Sequence, residues 1–269
     1  MGLLPLFLCN EFSKWRFAAV LIGERFLRRT LPVEISSEES KSKEPLIPAL
    51  SGGELDRILE QHSVWIETKG EKGFRAELTN SQLVEAYLQG ANLRGALLLG
   101  ANLEKAEMQM GDFAKADFGG ANLKYAKLFR SVLREANLTK ASLIGAQLQE
   151  TDMEGANLHG ADVREADFLE ARLCRGNMGE VFAQRSNFFM ADLRGVQWQD
   201  GIIRECDMQG AVLVEADFAG AQMQDTRMTA AELRGCNLSG ADLLGVTGLT
   251  REQVDKAMID GKTRLPDYV

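Results

Sequence analysis

From Leu78 to Leu243 a medium-to-large apolar residue stands at every fifth position, thirty-four times without a break, and only Ala183 among them is small. Two residues before each one sits a compact residue. It is Ala in most repeats (Ala86, Ala91, Ala96, Ala101) and Gly, Ser, Thr, Cys or Val in the rest. Asp or Asn often fills the position between, as in Ala91-Asn92-Leu93, Ala116-Asp117-Phe118 and Ala241-Asp242-Leu243. A period of five suits neither regular element. On an α-helix each repeat would advance about 140° beyond a full turn, so no face would collect the apolar residues. On a flat strand an odd period would throw successive ones to opposite sides. The chain must turn a corner once per repeat, so that the large and the small column both point at a common axis. That predicts a solenoid in which each coil touches only its neighbours.

The segments beside the repeats carry helical signals. Ser51-Gly52-Gly53-Glu54 opens a candidate helix whose Leu55, Ile58, Leu59, His62, Trp65 and Ile66 share one face. His62 reads there as a packed cap residue rather than a ligand. Thr250-Arg251-Glu252-Gln253 reads as a capping box that opens a short helix closed by Gly261. Both would cap the open ends of a solenoid. Further upstream, Phe12, Trp15, Ala19, Ile22 and Phe26 form a stripe at helical spacing, with Lys14, Arg16, Arg25, Arg28 and Arg29 around it against Glu11 and Glu24. Such a basic amphipathic helix suits a membrane surface, a partner or the rod itself. The apolar run Phe17–Gly23 is too short to span a bilayer, and Leu3–Leu8 lacks the basic flank of a signal peptide. Met1-Gly2 resembles a myristoylation start, but Leu6 stands where Ser or Thr is needed.

Composition changes the picture in three ways. Aromatic residues make up only 7% of the 269, against 26 Gly, which fits an axis too narrow for bulk at both inward positions. There are 39 Asp and Glu against 31 Lys and Arg, a net charge of −8, which excludes a general phosphate-binding surface, so no direct nucleic-acid binding is expected. All of that imbalance lies in residues 76–245, which hold 24 acidic and 16 basic side chains. Four Cys stand far apart without CxxC spacing and only two His occur, so neither a disulfide framework nor a zinc site is supported, and a cytoplasmic protein is expected. Cys206 and Cys236 take small-column positions, whereas Cys174 falls on an outward one.

The Ala-(Asp/Asn)-(Leu/Phe)-x-Gly pattern, seen at 91–95, 156–160 and 241–245, resembles the pentapeptide-repeat family. The resemblance implies an all-β solenoid, a right-handed quadrilateral β-helix with four repeats per coil and short helical segments on both sides of it. Thirty-four repeats would make about eight coils, stacked to a rod on the order of 40 Å long. Similar flanks cap other bacterial members. The expected organisation is an amphipathic basic segment over 1–33, a flexible linker over 34–50, an N-terminal helical cap over 51–75, the β-helix over 76–245 and a C-terminal helical cap over 246–269.

No motif here carries catalysis. There is no Walker loop, nucleophile elbow, HExxH or dinucleotide fingerprint, so no catalytic residue, cofactor or metal is expected, and the recurring carboxylates read as structural. Surface remains. With four repeats per coil, residues twenty apart stack. On the side centred on Leu88, Phe129, Leu169 and Phe189, with Met110 and Met190 beside them, form a candidate interaction face that should point outward. The side centred on Leu78 is the most acidic, with Glu77, Asp117, Glu180, Asp200 and Asp217 against Lys140. On the Leu93 side, Arg94, Arg134, Arg194 and Arg234 are balanced by acids. The leading expectation is a non-enzymatic scaffold that binds a protein partner, with a homodimer left open. One alternative follows from quinolone-resistance members of the Qnr and mycobacterial types, DNA-mimicking rods that bind gyrase, a type II topoisomerase. The unbroken repeats lack the projecting loops of the Qnr type, and the basic N-terminal segment is foreign to that pattern. The other alternative is a membrane-surface scaffold, peripheral through residues 11–29.

Overall fold

A computed structural model describes residues 50–269. The segment expected over 1–33, with the stripe Phe12, Trp15, Ile22 and Phe26, and all but the last residue of the linker expected over 34–50 lie outside the described residues. From Ala76 onward the backbone repeats one unit: a parallel bridge at the residue before each large one, then a two-residue turn. From Glu77 with Leu97 to Arg227 with Thr247, the bridges within the repeats join positions twenty apart. Four repeats therefore close one coil, and the chain is a right-handed quadrilateral β-helix.

Hydrogen bonds show why the corner falls where it does. Within a repeat, the amide of the next small residue reaches back over the turn, as Ser81 N to Leu78 O at 3.1 Å. Between coils, Leu78 N donates to Leu97 O at 2.7 Å and Leu97 N to Ala76 O at 2.9 Å. The fifth residue of all thirty-four repeats has positive φ, the sign needed at the third position of a type II turn. Gly takes thirteen of these sites; the others run from Glu150 at 54° to Arg185 at 62°. A non-Gly residue there costs about 1 kcal/mol or more. Its amide is held by the next coil, as Glu150 N to Leu169 O at 2.9 Å, which offsets the strain.

The Asp/Asn column now has a local cause. Its side-chain oxygen accepts the amide two residues on, bracing the turn, as Asp112 Oδ1 from Ala114 N at 3.0 Å and Asn177 Oδ1 from Gly179 N at 3.1 Å. Both inward columns are buried along the axis except at Ala86 and Ala91 near its start, which are half-buried. Three polar residues of the small column are satisfied across the turn or the coil, as Thr151 Oγ1 donating to Leu148 O at 2.6 Å and Ser186 Oγ to Val163 O at 2.7 Å, whereas the Ser131 hydroxyl has no partner among the described residues.

Helix α1, Gly52–Glu67, is capped by Ser51, which accepts from Glu54 N. Its Leu55, Ile58 and Leu59 pack against the core. His62 is fully buried, stacked on Trp65 with ring centroids 5.4 Å apart, and its Nδ1 accepts the Ala76 amide at 3.0 Å. That bond ties the helix to the first residue of the β-helix. Burial holds the imidazole pKa below its ordinary value; the Arg94 backbone offsets part of this, and the Arg75 guanidinium adds to it. Protonation would remove the Nδ1 acceptor. A depressed folded pKa means that the neutral form stabilises the contact above the unfolded pKa, and that this stability is lost as pH falls below about 6.5. Amide exchange in Gly52–Glu67, corrected for intrinsic rates, is expected to speed up between about pH 7 and pH 5. In His62→Gln, which keeps an acceptor but does not titrate, it should stay level. A wild-type profile as flat as that of the variant would contradict the latch.

Helix α2 covers only Arg251–Val254, with both bonds of the capping box present. The helix expected to continue to Gly261 ends early because the chain returns to close the last coil edge. Met258 N donates to Cys236 O at 2.7 Å and Arg264 N to Ala241 O at 2.9 Å, and these residues bridge to Asn237 and Asp242. Open strand edges offered more hydrogen bonds than another helical turn would.

Candidate interaction surfaces

Because the axis is packed with Leu, Phe and Trp, the functional candidates are side chains at outward positions. On the Leu88 side, the residue after each large one is not fully outward as expected. Phe129, Leu169 and Phe189 are half-buried, while Met110 and Met190, at the positive-φ position, are 53% and 55% exposed. The residue after the large one opens the turn, so its side chain lies against adjoining coils. The set is also divided. Gln149 lies between Phe129 and Leu169 with its amide on Asp167 at 2.6 Å, and the Arg130–Glu150 pair at 2.9 Å separates the two Met. Leu169, Phe189 and Met190 remain together on neighbouring coils.

The same packing corrects the placement of Cys174, which is only 8% exposed rather than outward. Burial pushes its thiol up, with Asp192 and Glu154 adding to the effect. Cys206 and Cys236 lie in the small column, both pushed up to about 12 by burial. Thiols in this state are poor nucleophiles at neutral pH.

The acidic side holds its carboxylates in two ways. Asp117 and Asp217 belong to the ladder: Asp117 Oδ1 accepts from Asn137 at 2.8 Å, and Asp217 accepts from Asn237 at 2.9 Å and Gln199 at 2.7 Å. Glu77 sits on the first coil. The carboxylates of Glu180 and Asp200, on successive coils at the corner leading to the Leu83 side, make no hydrogen bond or ion pair among the described residues. The Leu93 side is laced with ion pairs instead. Arg134 meets Asp152 at 2.6 Å and Arg194 meets Asp192 at 2.5 Å, and the Arg194 bond holds the Asp192 carboxyl below its usual range. Exposed pairs of this kind contribute about 0–1 kcal/mol each.

Among the described residues no group of His, Cys, Asp and Glu is placed to hold a metal ion, and no helix is long and apolar enough to cross a membrane.

Comparison with known protein families matches "Pentapeptide repeats" in eight copies, over residues 76–120, 116–155, 151–188, 191–229 and 206–247. The chain belongs to the pentapeptide-repeat family. No curated protein matches it. Similar solved structures include a trypsin-treated variant of QnrB1, a plasmid-mediated fluoroquinolone resistance protein, at 17% identity over 70% of this chain and 92% of that one, with a TM-score of 0.39. HetL of the cyanobacterium Nostoc, a pentapeptide repeat protein involved in heterocyst differentiation regulation, is 24% identical over 81% of this chain and 98% of its own, with a TM-score of 0.30. A member from the thylakoid lumen of Arabidopsis thaliana is 24% identical over 53% and 70%, with a TM-score of 0.28.

Proposed function

We propose that this pentapeptide-repeat protein is a non-enzymatic scaffold that binds a protein partner through the faces of its acidic rod. The observation that carries this reading is the division of labour along the repeat. Inward side chains fill the axis, the Asp/Asn column is spent on turns and ladders, and the thiols are held protonated. What is left over is a lattice of exposed side chains held at fixed spacing by a stiff backbone, which suits recognition rather than chemistry. Nothing in the rod favours the topoisomerase alternative over this one: much of the acidity is internally paired or committed to the ladders, and the repeats run without a projecting loop.

Affinity capture with the full chain is expected to retain a discrete protein. That protein should be lost from at least one of two variants with near-wild-type melting: Phe129→Ser with Phe189→Ser, or Glu180→Gln with Asp200→Asn. Supercoiling by gyrase, with or without a quinolone, should be unchanged by the rod. Capture that both surface variants leave intact, or a rod that alters supercoiling, would contradict the reading.

A further inference from the structure

Side chains at the bridge positions of successive coils stand one above another as the rungs of a ladder, and most rungs are polar. On the Leu83 side the ladder begins with hydrogen-bonded amides, Asn102 Nδ2 to Gln82 Oε1 and Asn122 Nδ2 to Asn102 Oδ1, both at 2.9 Å. Isolated apolar rungs interrupt the other sides at Leu97 and Met258, at Tyr87, and at Val132 and Val212. Two apolar rungs follow one another at only one place among the described residues: Phe182 pairs with Ile202 on the Leu83 side. Phe182 is 46% exposed. The two border a shallow depression of about 400 Å³ shared with Asp162, Arg164, Gln184 and Arg204.

Charge around this patch is directional. Two residues before each apolar rung, at the adjoining corner, stand Glu180 and Asp200, the carboxylates without a partner among the described residues. The neighbouring acids are already engaged: Asp162 holds Arg164 at 2.6 Å and 2.8 Å, and Glu205 holds Arg185 and Gln184, each at 2.9 Å. On the opposite edge Arg204 has no carboxylate partner among the described residues; its Nε donates to Gln224 at 3.1 Å and its Nη2 to Gln222. The apolar pair thus has two open carboxylates two residues away at one corner, while the depression beside it holds two cations, Arg164 neutralised by Asp162 and Arg204 bound only to amides.

We propose that this patch docks a protein segment that places one or two apolar side chains beside Lys or Arg. The inference rests on the scaffold reading and names its site. An apolar rung forgoes the ladder hydrogen bond that Asn makes elsewhere, and covering it removes apolar surface from water. Cations beside Glu180 and Asp200 meet carboxylates that no other group has claimed, while Arg204 fixes which way round the segment lies. An anionic membrane would be repelled at the same edge. A second copy would set two carboxylates against a single Arg204 already bound to two amides.

The test uses the full chain and two fluorescein-labelled twelve-residue probes, one alternating Lys and Leu, the other Glu and Leu. Anisotropy titration is expected to show the Lys-Leu peptide binding about tenfold tighter or more. Phe182→Asn with Ile202→Asn, which installs the residue the ladder uses elsewhere and should leave melting unchanged, is expected to weaken it about fivefold or more. Glu180→Gln with Asp200→Asn should do the same, and Val132→Asn with Val212→Asn, on the Leu93 side, should not. Equal binding of the two peptides, equal weakening by the Val pair, or a dimer that only the Phe182/Ile202 variant dissolves would overturn the site. If the Phe182/Ile202 variant still retains the partner that the wild-type chain captures from lysate, the docking site falls while the scaffold reading stands.

Discussion

Replacing Phe188 by Ala is expected to lower the unfolding free energy by about 3–5 kcal/mol, the range for truncating a buried aromatic side chain. Phe188 lies within a continuous run of four aromatic residues on the axis. It stacks on Phe168 with centroids 4.7 Å apart and planes within 8°, and meets the edge of Trp198 at 5.2 Å; Trp198 continues to Phe218 at 5.5 Å. All four are fully buried. Phe188 comes from the Leu88 side and Trp198 from the Leu78 side, so the cavity would open where two sides of the coil support each other. Because each coil touches only its neighbours, the loss should also reduce cooperativity, and the denaturant slope should fall together with the midpoint. Urea unfolding followed by circular dichroism measures both. A loss below about 1 kcal/mol would mean that the axis is not close-packed there.

The second large effect comes from adding rather than removing volume. Gly201 stands in the small column, three residues after Trp198, and a Cβ there would lie 2.5 Å from two atoms of the indole. Gly111, two residues before Phe113 in its own repeat, would likewise place a Cβ 2.5 Å from the Phe113 ring. In these coils the small column has shrunk from Ala to Gly where an inward aromatic ring fills the adjoining space. Gly201→Ala is expected to cost about 1–3 kcal/mol through overpacking. Trp198→Leu alone should also destabilise, by opening a cavity, although it removes a buried indole N–H with no partner in the rod. The double variant should be more stable than the sum of the two losses predicts, with a coupling of about 0.5–3 kcal/mol. Strict additivity in the thermal midpoints would show that the Gly is not there for the Trp.

The five-residue period carries most of the fold. Leu78 through Leu243 and the Ala column alone require a corner per repeat, and the low aromatic content follows from the narrow axis. The positive φ at the fifth residue was hidden, because Glu, Lys and Arg hold that position as often as Gly marks it; a bond from the next coil, invisible in a single repeat, steadies them. Cys174 was placed outward because the residue after the large one is polar in many repeats, yet where it is small it sinks into the corner. The apolar residues of the Leu88 side were legible as a column but not their half-burial or the Gln149 between Phe129 and Leu169. Phe182 and Ile202 were missed because they stand at the Asp/Asn position, twenty residues apart, and only the parallel pairing makes them neighbours. The early end of α2 was equally out of reach, since it depends on the open edges at Cys236 and Ala241.

The central claim, that a partner reads one side of a rigid lattice, is tested most directly by carboxyl footprinting of the full chain with and without its captured partner. The account predicts that protected acids recur at twenty-residue spacing along one side or corner, Glu180 and Asp200 among them, while Glu135, Glu215 and Glu232 on the Leu93 side label as in the free rod. Protection confined to one contiguous stretch that runs around all four sides of a single coil, or confined to acids before residue 50, would contradict it.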